Sequence, residues 1–215
     1  MDVTSDTRQA VMAAAAQAFA EQGFEAASLR LITRDAGANL AAVNYHFGSK
    51  DGLIAAVIGE MVAPINAERL RRLDALEATS TCDLEAVLRA LIEPMFGAMA
   101  DPDAARIALA LVARIHQDPQ RLEAVIQQHF RSVLERFVAA LMRCAPSLPA
   151  ATVVQRLQFT VGAALNALTR LEQGGSPCSE QPAGSDRAAW LRTTSAELIA
   201  FAAAGFAAAP AEGQA

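Results

Sequence analysis

No stretch of this chain alternates apolar and polar residues cleanly with period two over six positions, and apolar side chains recur instead at three- and four-residue spacing. Alanine is the commonest residue and β-branched residues rarely cluster, so the local preference agrees with the periodicity. A sheet is excluded, and the chain must bury its apolar surface by packing helix on helix. Where each helix stops is written in the breaks. Thr7 or Asp6 caps a first helix to about Gln22, with Gly23 at its end and Phe24 packing back beneath it. Ser28 opens a short helix to about Ala36 that turns Leu31 and Ile32 inward, and Gly37 ends it. Asn39 caps a third, Leu40 to Phe47, with Leu40, Val43 and Phe47 on its inner face and Gly48-Ser49 after it.

Beyond that point the predicted helices lengthen. One runs from Leu53 to about Leu76 with Pro64 inside it, which predicts a kink near Gly59 to Ala63. Asp83 caps Leu84 to Met99. Asp101-Pro102 and Asp118-Pro119 each place a cap before a proline at the first helical position, starting helices to about Gln117 and to Cys144. Two more follow, from Ser147–Pro149 to Gln173 and from Asp186 to about Ala208, joined by a Gly/Ser/Pro-rich loop over Gly174 to Ser185. The expected fold is all-α: a three-helix head over 1–48 and a bundle of about six longer helices over 49–215.

The chain carries 18 basic and 23 acidic residues, a formal net charge of -5. That excludes a protein that coats nucleic acid without sequence preference, because such binding draws on phosphate neutralisation. A small head that docks by shape and a few placed contacts remains open. Three cysteines, at 82, 144 and 178, form an odd set with no close pair, so no disulfide framework is expected and a reducing compartment fits. Asp2, Asp6 and Arg8 interrupt the opening residues before any apolar stretch, and the greasiest run, Phe201 to Pro210, is ten residues long. A cytoplasmic protein without a membrane span is expected. His46, His116 and His129 share no i,i+3 or i,i+4 spacing, so neither a metal nor another cofactor is expected. An enzyme is the discriminating rival, and it would need a buried polar constellation that the sequence lacks.

Two short helices joined by a glycine-bearing turn, behind a longer stabilising helix, make the helix-turn-helix pattern, whose second helix lies in the DNA major groove. Here that helix carries almost no charge on its outer side. Ala41 and Ala42 present methyl groups, Asn44 can both donate and accept on a base edge, and Tyr45 and His46 can reach phosphate from the rim. Lys50, at the start of the next helix, opposes the helix dipole and so suits a phosphate better than it suits stability.

The segment Thr7 to Ile54 resembles the TetR/AcrR family of one-component bacterial regulators. The resemblance is carried by Ala18-Phe19, Glu21-Gln22-Gly23-Phe24, Ala27-Ser28-Leu29, Ile32, Ala36-Gly37 and above all the run from Asn39 to Leu53. That run is similar to the branch with an Asn-Tyr-His-Phe recognition helix, which includes fatty-acid-responsive regulators of the PsrA type. The resemblance implies that Asn44, Tyr45, His46 and Lys50 meet an operator, with Tyr45 and Lys50 mainly on phosphate and Ser28 on the backbone; the Ala42 methyl, read from its place on the helix, is expected to approach a thymine methyl. Thr33 departs from the family's usual alanine, and its hydroxyl is expected to bond back to the preceding turn. The run Ala113 to Pro119, with His129-Phe130 and Leu134 to Phe137, looks like the C-terminal domain of the same branch.

A regulator of this class needs an input. Met61, Met95, Phe96, Met99 and Phe130 recur at helical spacing and are expected to line a site for a small apolar effector, with Arg114 and His116 placed for an anionic headgroup. The branch implies a fatty acid or its coenzyme-A ester; a constitutive regulator with a filled core is the alternative. The last two helices carry Phe159, Gly162, Ala163, Leu165, Asn166, Leu168 and Thr169 on one stripe. Leu191, Thr194, Leu198, Phe201, Ala202 and Gly205 form the other. Close approach of two such pairs would make a four-helix homodimer interface, and a two-fold dimer would match a palindromic operator. The expected activity is that of a repressor released by its effector.

Overall fold

The computed structural model describes residues 3–79, 83–172 and 186–210. Every regular element among them is helical: α1 (Val3–Gln22), α2 (Leu29–Asp35), α3 (Leu40–Phe47), α4 (Lys50–Ala78), α5 (Leu84–Gly97), α6 (Pro102–His116), α7 (Pro119–Val125), a π turn (Ile126–Phe130), α8 (Arg131–Cys144), α9 (Ala150–Glu172) and α10 (Arg187–Ala207). The three-helix head followed by longer helices is as the periodicity predicts.

Local chemistry sets several of the ends. Asn39 accepts the Ala42 N–H through Oδ1 at 3.0 Å, Asp83 the Ala86 N–H at 3.2 Å, and Asp186 the Ala188 N–H at 2.9 Å. Ser49 Oγ takes the Gly52 N–H at 3.0 Å, starting α4. At the other end, Gly23 (φ 84°) and Gly48 (φ 73°) adopt the left-handed backbone that closes α1 and α3. Thr33 donates its hydroxyl to the Arg30 carbonyl at 3.2 Å, the back-bond expected of it.

Packing divides the chain into two compact units, Met1–Pro64 with Asp103–His129, and Ile65–Pro102 with Phe130–Ala215. The chain crosses between them after Pro64, after Pro102 and after His129, so two crossings follow a proline and the third falls in the π turn. In the first unit α1, α2 and α3 pack on one another around Val11, Phe19, Ile32 and Val43, each no more than 1% exposed. Phe24 meets Phe19 edge-on at 5.6 Å between ring centroids, closing the end of α1. In the second unit α5 packs against α8, α9 and α10, and α8 and α10 each pack on α9. Phe137, Leu88, Leu141 and Leu168 are fully buried there.

Four expectations are corrected. Leu31 and Leu40 are 40% and 44% exposed rather than turned inward, because in helices this short Ile32, Thr33 and Val43 take the few buried positions. The helix expected from Asp118-Pro119 through Cys144 is interrupted by the π turn, where no proline or glycine announces it. Leu168, Leu191 and Ala202, read as interface residues, are buried within the unit. Cys144 is disulfide-bonded, against the expectation of free thiols, since distance along a chain does not report distance in space. Cys82 and Cys178, the loop over Gly174 to Ser185 and part of the linker after Thr79 lie outside the described residues. No described helix is long and apolar enough to cross a membrane.

Candidate nucleic-acid interface

The presented surface of α3 follows from its single point of burial. Val43 is fully buried, and the helix turns around it so that Ala41, Asn44 and Tyr45 face outward, Tyr45 at 79% exposure. Ala42 and His46 lie half-buried at the edges. Tyr45 is not a loose side chain, because its ring meets His46 edge-on at 4.9 Å, and His46 in turn stands 6.0 Å from Phe47. Arg8 lies over the Phe47 ring at 5.7 Å, bringing α1 to the same end of α3. The result is a short helix with small and neutral side chains outward and aromatic buttresses behind, a shape that admits close approach to base edges.

Polar and cationic groups flank it. Ser28 holds the N-cap position of α2 in extended conformation, yet its side chain makes no capping bond. Lys50, the only lysine in the chain, opens α4 and donates to the Glu25 carbonyl at 2.8 Å, which holds its ammonium beside the turn between α1 and α2. Arg30 is a further cation on this side that the sequence does not single out. It is exposed in the first turn of α2, where a cation opposes the dipole, and it forms no ion pair among the described residues. The feature it shares with Lys50 is a cation at a helix start.

Two arginines from later in the chain hold the head within the first unit. Arg114 donates to the Glu21 carbonyl at 3.4 Å and lies 3.5 Å from where a side chain on Gly23 would begin, so it answers the open C-terminal end of α1. Arg121 reaches Asp118 at 3.2 Å, Asp51 at 3.2 Å and Glu25 at 3.4 Å, and stands 5.0 Å over the Phe24 ring. Asp118 also accepts the Arg121 backbone N–H at 3.0 Å, and that bond holds its carboxyl below the usual carboxylate range. His129, in the π turn, packs on Gly59 so closely that a β-carbon there would lie 2.9 Å from its ring. Burial pushes the His129 imidazole below the ordinary histidine range.

The residues expected to line an effector site do not gather in one unit. Met61 and Arg114 belong to the first, and Met95, Phe96, Met99 and Phe130 to the second. Met95, Phe96 and Met99 are 8%, 2% and 5% exposed. His116 bonds through Nδ1 with the Val112 carbonyl at 2.8 Å on the exposed side of α6. On the last two helices Phe159 and Phe201 stand 65% and 73% exposed, and side chains added at Gly162 and Gly205 would meet open space. Among the described residues no group of three His, Cys, Asp or Glu is placed to hold a metal.

A three-helix head presenting α3, followed by longer helices, is an architecture of the helix-turn-helix class. The chain belongs to the TetR family. The model described as tetracyclin repressor-like, C-terminal domain, matches residues 89–205, and that of the bacterial regulatory proteins, tetR family, matches residues 11–57. The HTH-type transcriptional regulator BetI of Vibrio parahaemolyticus is 30% identical over 123 residues, 56% of this chain and 60% of that protein. BetI of Vibrio campbellii is 29% identical over the same shares, so the chain spans about 60% of the length of these relatives. In fold it is similar to the fatty acid degradation regulator FadR of Bacillus halodurans, with TM-score 0.66, 17% identity, and 90% and 94% of the two chains covered. A TetR-like transcriptional regulator of a Rhodococcus species gives TM-score 0.58 at 19% identity over 94% and 97%.

Proposed function

We propose that the chain is a ligand-responsive repressor of the Asn-Tyr-His-Phe branch that binds a palindromic operator as a homodimer and leaves it when a small, largely apolar effector binds. The reading head is 1–48, and 49–215 serves sensing and dimerisation. The observation that carries the reading is the outward face of α3, where Ala41, Asn44 and Tyr45 stand clear of the core around a single buried Val43. Asn44 and Ala42 meet base edges; Tyr45, His46, Ser28 and Lys50 position the head on phosphate and groove wall. A single head offers few cations, which favours a dimer that doubles the contacts. The exposed Phe159 and Phe201, on α9 and α10, supply an apolar surface for it. Effector contacts are assigned to Met95, Phe96, Met99 and Phe130. The likeness in fold to the fatty acid degradation regulator of Bacillus halodurans favours a fatty acid or its coenzyme-A ester as the class.

The test is selection of bound duplexes from a random-sequence library by the purified protein. The expected consensus is a palindrome with half-sites spaced by whole helical turns of about 34–36 Å. Lys50→Ala should weaken every sequence alike and flatten the salt dependence, whereas Asn44→Ala should relax preference at one base pair by about 1–3 kcal/mol. A library that yields no consensus sinks the reading. Uniform loss for Asn44→Ala would move that residue to the phosphate group. Sedimentation should give twice the chain mass, reduced to one by Phe159→Asp with Phe201→Asp.

A further inference from the structure

Three arginines stand close together on the second half of α4, and they are not equivalent. Arg71 and Arg72 share the Glu68 carboxylate at 2.7 and 2.6 Å, and Arg72 also reaches Glu93 at 2.6 Å. Hydrogen bonds from both guanidinium groups pull the Glu68 carboxyl down to about 2. Arg69 is only 6% exposed, and it has no carboxylate within ion-pair distance among the described residues. Its Nε donates to the Leu91 carbonyl at 2.8 Å and its Nη1 to Asn66 Oδ1 at 3.2 Å, while the partner of Nη2 is the Met95 sulfur at 4.0 Å. All four residues lie in the second compact unit. A guanidinium has five N–H donors; these contacts use three, and a thioether is a weak acceptor.

Removing a positive charge from water without an opposite charge is among the costliest arrangements a fold can hold. Burial pushes the guanidinium down to about 10, so it stays charged at neutral pH. The Nε bond goes to the Leu91 carbonyl of α5, whose helical donor is the Met95 N–H, so it does not replace the bond that Pro94 removes, which is to the Ala90 carbonyl. A neutral donor would serve the Leu91 carbonyl equally well. What it leaves unexplained is the Nη1–Nη2 edge, the two-pronged face that matches a carboxylate, held against an amide and a sulfur.

We infer that Arg69 is the receptor for the carboxylate of the effector, taking its two oxygens on the Nη1–Nη2 edge between Asn66 and Met95. The inference rests on the ligand-responsive reading above and gives its effector a charge. It also moves the anion-reading role from Arg114, whose guanidinium answers the end of α1, to a residue in the unit that holds Met95, Phe96 and Met99. A monocarboxylate suits the site better than a phosphate, because one guanidinium among neutral partners balances one negative charge and leaves a second uncompensated.

The experiment is calorimetric titration of the full chain with decanoate, 1-decanol and decyl phosphate. Decanoate should bind roughly tenfold or more tightly than either of the others, the range expected of a charge-assisted, two-pronged bond. Arg69→Met should abolish that preference while keeping the affinity for decanol, and Arg69→Lys should fall between. The Tm of Arg69→Met should equal or exceed that of the unaltered chain, since a charge kept for stability would lower it on removal. Arg71→Met, which removes an exposed guanidinium paired with Glu68, should retain the preference, and far-ultraviolet circular dichroism matching that of the unaltered chain guards against misfolding of the Arg69 variants. Equal binding of acid and alcohol, a preference that survives Arg69→Met, or no binding of decanoate overturns the assignment. Operator release is followed separately. Decanoate bound through Arg69 without release would uphold the anion site and overturn the effector reading; release by decanol as readily as by decanoate would do the reverse.

Discussion

Arg121 in the first compact unit and Arg69 in the second are both largely withdrawn from water, and the chain surrounds them in opposite ways. Arg121 meets three carboxylates and an aromatic face, joining the start of α7, the turn after α1 and the first residues of α4. Its partners are well exposed, Glu25 at 90% and Asp51 at 82% of their side chains, so each pair alone contributes little. Their joint effect is to pin segments far apart in sequence. Arg69 is more deeply buried and meets only a carbonyl, an amide and a thioether. The difference separates a brace, which arrives with its anions, from the receptor proposed above, which is held without one.

The comparison breaks most readily by removing both charges. Arg121→Met is expected to destabilise the chain by about 2 kcal/mol, summing a cation–π contact and three weak ion pairs. Arg69→Met is expected to cost nothing or to stabilise. Urea unfolding of the two variants measures this, and a larger loss for Arg69→Met would erase the distinction.

A somewhat smaller effect tests how closely packed the braced unit is. Gly59→Ala places a methyl 2.9 Å from the His129 ring and should cost about 1–2 kcal/mol through overpacking. In a His129→Ala background the same change should be nearly neutral, and additive costs in the double-mutant cycle would show that the two do not meet.

The smallest effect lies in acid. The Asp118 carboxyl is held below its ordinary value of 3.8 by the Arg121 backbone N–H and then by its guanidinium. A depressed carboxylate contributes stability that is complete above its unfolded pKa and lost as pH falls through the folded one. Stability should therefore decline below about pH 4 with a slope that Asp118→Asn makes shallower. Parallel profiles for the two proteins would remove Asp118 from the brace.

Much of this was legible in the sequence wherever the cause is local. The bounds of α3 can be read to the residue, because Asn39 caps it through Ala42 three positions on and Gly48 ends it. Asp83, Asp186 and Ser49 work in the same short-range way. The π turn was not legible, since what accompanies it is the packing of His129 on Gly59, far away along the chain. Arg69 shows the limit most clearly. Val62, Asn66, Arg69 and Leu73 form one buried stripe of α4, but an arginine at such a position reads equally well as part of a solvated face. Arg114 and His116, whose neighbours resemble a known family, look the better candidates along the chain, and only three-dimensional packing separates them from Arg69.

One buried valine fastens α3 to its unit, and this has a consequence for descent. The side chains that α3 presents outward contribute little to folding, and exposed substitutions of that kind usually change stability by no more than about half a kcal/mol. On the proposed reading, a duplicated copy of this chain could therefore exchange Ala41, Asn44 or Tyr45 and acquire a new operator while its core stays as it was. The outward face of α3 and the core behind it are free to evolve at different rates.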